Sequence, residues 1–242
     1  MKRIMSLAAA FLAVNLMAGE EQAPTPADQY TIFQVGIVLD QPSSIVKSNV
    51  YGIKAGLPVT NGLGRVYGLE ASFFYSGTAY IRGAQGSWIL NNCKTMQGIQ
   101  GSWIGNLNSE SFEGIQGSLA FGVAGNLTGL QAAAVTVSKD FLGLQASALA
   151  SVSKNFDGFQ TSVGVGYANG DLNGIQFCGL ISVTRGTLTG FQTSVAFNKV
   201  KSCTGLQFGL INVADDTSCQ VGLINVIKNG PIPFMPFVNF NW

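Results

Sequence analysis

From about residue 50 to residue 227 the chain alternates apolar and polar side chains with a period of two, and the pattern restarts at a small residue every 13–16 positions. The restart is a Gly-apolar-Gln triplet. With its Gly as position zero, position +2 reads Lys54, Glu70, Gln85, Gln100, Gln116, Gln131, Gln145, Gln160, Gln176, Gln192, Gln207 and Gln220; Ser218 replaces the Gly of the last copy. Position +1 is apolar throughout, from Ile53 and Leu69 to Leu206 and Cys219, and position +4 is always small, as in Gly56, Ser87, Ala133, Cys178 and Gly222. Position +5 is nearly always apolar, including Trp88, Trp103, Leu119, Val163, Val195 and Leu210. A period of two held over eight or more residues predicts β-strand, with one apolar face and one face of Gln and small residues. Twelve copies in register make this an internal repeat.

Turn-forming residues and charges fall between the strands. Ala124-Gly125-Asn126, Ser153-Lys154-Asn155, Ala168-Asn169-Gly170-Asp171 and Lys228-Asn229-Gly230 read as turns. Apart from Lys54 and Glu70, the charges of the repeat lie before a triplet or in the matching turn after the last one. Each repeat is therefore expected to be one strand of about ten residues and one tight turn. Tyr30 to Leu39 alternates in the same way and reads as a first strand, and Pro42-Ser43-Ser44 ends it. The chain closes on Phe237-Val238-Asn239-Phe240-Asn241-Trp242, with Val238, Phe240 and Trp242 on one face.

Composition turns this pattern into two architectures. Charged residues are only 10% of the chain and hydrophobic ones 47%, whereas a soluble domain carries about 25% charged residues. The first reading is an all-β, antiparallel transmembrane β-barrel. Twelve repeat strands, the first strand and the C-terminal strand give about fourteen, each of the length needed to span a bilayer. The apolar face, Leu130 included, then meets lipid. The column Gln85, Gln100, Gln116, Gln131, Gln145, Gln160, Gln176, Gln192, Gln207 and Gln220 faces inward to the lumen. The alternative is a β-solenoid with one coil per repeat and the Gln residues stacked in a ladder. Successive repeats look alike, which suits a solenoid; the low charge suits lipid exposure, and the barrel is the reading preferred.

Before the repeats, Lys2 and Arg3 precede an apolar run from Ile4 to Met17, followed by Ala18-Gly19-Glu20-Glu21. This predicts a secretory signal peptide over 1–18, too short for a membrane helix. Residues 19–29, with Pro24 and Pro26, read as a linker, and 30–242 as a single β-repeat domain.

Two resemblances follow from these residues. The terminal alternating strand with Phe240 and Trp242 resembles the assembly signal of outer-membrane β-barrels, which implies outer-membrane lipid and the barrel-assembly machinery as partners. Gly205-Leu206-Gln207-Phe208-Gly209-Leu210-Ile211-Asn212 and Gln220-Val221-Gly222-Leu223-Ile224-Asn225 resemble the Gly-Leu-Gln-x-Gly-Leu-x-Asn surface repeats of exported bacterial envelope proteins. Over residues 50–242 most middle copies depart from that form, with Ser for the second Gly and no Asn. The family implies an exported protein, in the outer membrane or at the surface of a bacterium with two membranes, and no established activity.

The chemistry available is sparse. With no histidine, Ser-His and Cys-His mechanisms are excluded. Cys93, Cys178, Cys203 and Cys219 have no Cys-x-x-Cys spacing and read as occupants of small or apolar repeat positions. Glu110, Glu113, Asp215 and Asp216 read as solvated turn charges. No catalytic, metal or cofactor site is predicted, and no small-molecule ligand is identifiable. A net charge of +1 gives no reason to expect nucleic acid. The expected role is a structural barrel or weakly selective pore, the alternative a surface solenoid with a structural or adhesive role.

Overall fold

The computed structural model describes residues 30–37 and 48–241. The predicted leader and linker, the end of the first predicted strand and Trp242 lie outside the described residues. The described chain is all β. Its strands are β1 (Tyr30–Gly36), β2 (Asn49–Gly56), β3 (Val59–Ser72), β4 (Tyr75–Ser87), β5 (Leu90–Ser102), β6 (Gly105–Ser118), β7 (Phe121–Ser153), β8 (Asn155–Ser162), β9 (Val165–Ala168) and β10 (Leu172–Cys178). They continue as β11 (Ile181–Thr184), β12 (Thr187–Ser194), β13 (Phe197–Val200), β14 (Ser202–Phe208), β15 (Ile211–Ala214), β16 (Ser218–Ile227) and β17 (Phe234–Asn241).

The strands wind into a β-solenoid. Each coil lies parallel on the one before, with its columns aligned: Gly52 on Gly68, Gly68 on Gly83, Gly83 on Gly98 and Gly98 on Gly114. Further along, Gly158 pairs with Gly174 and Gly174 with Gly190. In the second half each coil shows two straight segments. β8, β10, β12 and β14 stack in one parallel ladder, and β9, β11, β13 and β15 in another. Two bends join the segments. One lies at positions +5 and +6, as at Val163-Gly164, and the other holds the charged turn, as at Asn169-Gly170-Asp171.

The antiparallel barrel of about fourteen strands is overturned by this pairing. The alternative reading, the solenoid, describes the chain. In a meander, each Gln would face a small residue of an oppositely directed neighbour. Here every column stacks on itself, and two columns require that. At Gly129, φ is +132°, a conformation that side chains rarely adopt, and a Cβ there would lie 2.1 Å from the Gly114 carbonyl oxygen. The same clash with the preceding glycine recurs at Gly83, Gly98 and Gly158. Glycine thus marks the point where a Cβ would point along the stack into the preceding coil, rather than only the entry to a strand. The Gln column supplies the second reason. The expected unit of one strand and one turn is also replaced, because the bend at +5 and +6 divides the coil.

The core is a narrow strip between the two segments. On one side stand the apolar residues at position −2, among them Met96, Phe112, Leu127, Phe141, Phe156, Leu172 and Leu188, all buried. The Phe141 and Phe156 rings stack at 5.0 Å. The Gln column stands beside them on the same segment, as with Phe156 and Gln160 of β8, and the facing segment brings a polar column that includes Ser76, Asn91, Asn106, Ser151, Ser182, Asn198, Asn212 and Asn225, all buried. β17 departs from the rule. It turns back and pairs antiparallel with β16, Cys219 opposite Phe240 and Gln220 opposite Asn239, and so covers the last coil.

Candidate functional site

The inward column is one continuous chain of hydrogen bonds. Gln85 through Gln220 are all buried. Each Gln Nε2 donates to the Oε1 of the preceding coil, from Gln220 to Gln207 down to Gln100 to Gln85, at 2.6–2.9 Å. Parallel strands about 4.8 Å apart place identical amides at bonding distance. All the donors point the same way, so the amide dipoles add and polarise one another. Gln85 through Gln220 therefore face inward into a packed core, and the lumen that the barrel reading gave them does not exist.

The ladder ends on a carboxylate. Gln85 Nε2 donates to Glu70 Oε2 at 3.1 Å, and Thr60 and Thr78 donate their hydroxyls to Glu70 Oε1 at 2.6 and 2.7 Å. The Lys54 Nζ, one coil earlier in the same column, donates to Thr78 Oγ1 and the Asn61 carbonyl, each at 2.7 Å. An anion accepts the donor end of the ladder and a cation offsets it. Burial lowers the Lys54 pKa below 10.5, and the Glu70 charge acts in the opposite direction. At the far end the Gln220 Oε1 has no hydrogen-bond partner among the described residues. The sequence displayed Lys54 and Glu70 as two exceptions to Gln; opposite charges in adjacent copies of one column were the signal that they are partners.

The second polar column repeats the device in part. Asn198 Nδ2 donates to Asn212 Oδ1 and Asn212 Nδ2 to Asn225 Oδ1, both at 2.8 Å. Asn91 and Asn106 form a matching pair at 2.9 Å. These Asn residues hold the second segment of their coils, a role that period-two reasoning did not reveal.

The outer surface is divided by bend. At positions +3, +4, +5 and +6 no residue in any of the twelve copies is charged. The +5 and +6 bend exposes Phe73, Phe74, Trp88, Ile89, Trp103, Ile104, Leu119, Leu149, Val163, Leu180, Val195 and Leu210. Trp88 stacks on Phe73 at 5.4 Å and on Trp103 at 5.7 Å. A shallow trough floored by Gly86, Gly101 and Gly117 runs beside the two tryptophans. The backbone carries the same stack, with Trp103 N donating to the Trp88 carbonyl and Leu119 N to the Trp103 carbonyl. The opposite bend is polar and cross-linked between coils: Asn155 to Asp140 at 2.7 Å, Thr187 N to Asp171 at 2.7 Å and Lys228 to Asp215 at 2.6 Å.

Other candidate residues are placed as follows. Leu130 is exposed on the outer face, beside solvent in a solenoid rather than lipid in a barrel wall. Phe240 is exposed on β17, and a barrel-assembly role for it loses its basis with the barrel. Cys93, Cys178 and Cys203 are buried and free, Cys219 half-buried and free. Burial pushes the Cys93 and Cys178 thiols up and Cys203 up to about 12. Among the described residues no group of three His, Cys, Asp or Glu side chains is placed to hold a metal ion, and no helix is long and apolar enough to cross a membrane.

No family model, no curated protein and no solved structure matches the chain.

Proposed function

We propose that this chain is an exported, surface-exposed solenoid with a structural and adhesive role, acting as a rigid rod that binds through its charge-free edge and performs no catalysis. The observation that carries the reading is the separation of the two bends. One is apolar and solvent-exposed along the whole stack, the other polar and tied from coil to coil. An exposed apolar strip of this extent marks an interaction surface in a soluble protein. The Gln ladder ties successive coils together from Gln85 to Gln220, so the strip is held in register along them. The leader pattern at Lys2 to Ala18 and the likeness of Gly205–Asn212 to exported surface repeats support placement outside the cell.

Cell fractionation with surface labelling tests this. The full chain, expressed in a bacterium with two membranes, is expected to lose its leader and to be reached by antibody or protease on intact cells. Retention of the uncleaved chain in the cytoplasm overturns the proposal.

A further inference from the structure

Charge is unevenly placed along the rod. From residue 48 to residue 109 the charged residues are Lys54, Arg65, Glu70, Arg82 and Lys94. Lys54 and Glu70 are buried and offset each other through Thr78. The described surface of the first four coils therefore carries three cations and no carboxylate. The next acids, Glu110 and Glu113, come two coils beyond Arg82 and accept from Thr95 and Gln97. From there on, both signs share the polar bend.

Arg65 and Arg82 are exposed, and neither has an ion-pair partner among the described residues. They form a square with two tyrosines. Val66 and Ile81 are buried, so their neighbours at positions −3 and −1 face outward. The register sets Arg65 beside Tyr80 and Tyr67 beside Arg82. The two guanidinium groups thus hold one diagonal and the two phenols the other. Arg65 Cζ lies 5.9 Å from the centre of the Tyr80 ring, and the Tyr67 ring stacks on Tyr51 at 4.8 Å. Coils about 4.8 Å apart, and residues about 3.3 Å apart along the strand, put the two arginine Cα atoms about 8 Å from each other.

We propose that this square binds an acidic polysaccharide, with Arg65 and Arg82 each holding a carboxylate of one sugar chain and Tyr67 and Tyr80 supplying hydroxyls to its hydroxyl groups. The surface lies outside the apolar edge and uses none of its residues. A guanidinium has donors only and meets a carboxylate with two parallel bonds. One exposed ion pair is weak, whereas two anions tethered on one chain act together, so a polymer fits better than a lone acid. Single-stranded nucleic acid is the competing polyanion, but it is held by bases stacked on free aromatic faces. Here Tyr67 is stacked on Tyr51, and Arg65 lies over Tyr80.

Isothermal titration of the purified full chain with polygalacturonate oligomers tests the proposal, with neutral dextran as the control. Binding to polygalacturonate and not to dextran is expected, and it weakens as salt rises. Arg65→Gln with Arg82→Gln is expected to weaken it by about tenfold or more. Arg185→Gln removes an exposed arginine that also lies over a tyrosine, Tyr167, but outside the square, and is expected to leave the affinity within about twofold. Arg65→Lys with Arg82→Lys keeps the charge without the two-pronged geometry and is expected to fall between these. Far-UV circular dichroism confirms that the variants fold. Failure to bind polygalacturonate overturns the proposal, and so does an equal loss in Arg185→Gln, which assigns binding to overall charge. Tighter binding of oligothymidylate or of phosphatidylglycerol vesicles through the same two arginines overturns it in favour of nucleic acid or lipid. Because binding is read on purified protein, it holds or fails independently of the apolar edge and of where the chain resides in the cell.

Discussion

Lys54 and Glu70 are joined through the Thr78 hydroxyl rather than directly: Lys54 Nζ donates to Thr78 Oγ1 at 2.7 Å, and Thr78 Oγ1 donates to Glu70 Oε1 at 2.7 Å. Both charges are buried, and neither has another charged partner among the described residues. Removing one member of a buried pair strands the other and costs about 3–5 kcal/mol. Glu70→Gln preserves the shape of the column but leaves the Lys54 ammonium uncompensated, so a loss of that order is expected. The double variant Lys54→Met with Glu70→Gln is expected to recover most of it. Denaturant midpoints of the four forms measure the coupling; a double variant as unstable as Glu70→Gln would show that the charges act independently.

The interior of the ladder and its free end are expected to respond differently. In Gln145→Leu, the Gln160 Nε2 loses its acceptor and the Gln131 Oε1 its donor. Each stranded buried group costs about 1–3 kcal/mol, so a loss of roughly 3 kcal/mol is expected. Gln220→Leu strands less, because the Gln207 Oε1 keeps its bond from Ser218 at 3.0 Å. Hydrogen exchange resolved along the chain is the suitable measurement, since a solenoid loses coils locally. Equal loss of protection in the two variants would count against a ladder that acts as one unit.

Two glycines two coils apart give a matched test of the stacking. A Cβ at Gly129 meets the Gly114 carbonyl oxygen at 2.1 Å with φ at +132°, whereas a Cβ at Gly101 meets nothing within 4 Å. Gly129→Ala is expected to cost on the order of 3 kcal/mol or to unfold the neighbouring coils. Gly101→Ala, on the outer trough, is expected to be near neutral. Thermal unfolding of both variants decides this, and a stable Gly129→Ala would contradict the clash of a side chain there with the preceding coil.

How much of this was legible in the sequence depends on the question asked. The alternation around each triplet and the place of the charged turns followed from spacing, because side-chain alternation is fixed by backbone geometry, whereas the bend at +5 and +6 did not. The direction of stacking did not follow, since a period of two is satisfied equally by parallel and antiparallel neighbours. The likeness of successive copies was the discriminating signal, and low charge outweighed it. Low charge has another cause here: the Gln column fills the core with neutral polar groups, and the exposed positions +1, +5 and +6 are apolar, which leaves charge to the turns. The Trp88–Trp103 stack could be read from their shared +5 position only once the coils were known to lie in register.

Alkaline pH is expected to weaken the fold. Burial raises Cys93, Cys178 and Cys203 above their ordinary 9.0, Cys203 to about 12. Below 9.0 the thiols are protonated in both states and their contribution is complete. Above it the unfolded chain ionises first, and stability is lost until the folded thiols titrate, by up to about 1.4 kcal/mol per pH unit for each. Lys54 acts in the opposite sense. Its lowered pKa means that the folded state releases a proton first, so its contribution is complete above 10.5 and is lost as pH falls through the folded value. Three thiols outweigh one amine between 9.0 and 10.5, and a net fall in the urea midpoint is expected. Replacing the three cysteines with alanine should flatten or reverse the slope; an unchanged slope would place its origin elsewhere.

The closing strand makes the last test. A parallel stack ends in an open strand edge whose register suits the first coil of another copy, the geometry from which fibres grow. β17 blocks that edge by running the opposite way, with Asn239 buried and its amide donating to the Ile232 carbonyl at 3.2 Å. Pro236 within β17 has no N–H to offer a further strand. The strand contributes little core, since Phe234, Met235, Phe237, Val238 and Phe240 are exposed. Its removal should therefore leave the coils folded while freeing β16. Truncation after Pro233 is expected to yield assemblies that grow with concentration well beyond the size of the full chain and bind an amyloid dye. If the truncated chain sediments like the full one, the edge of β16 is protected by something other than β17.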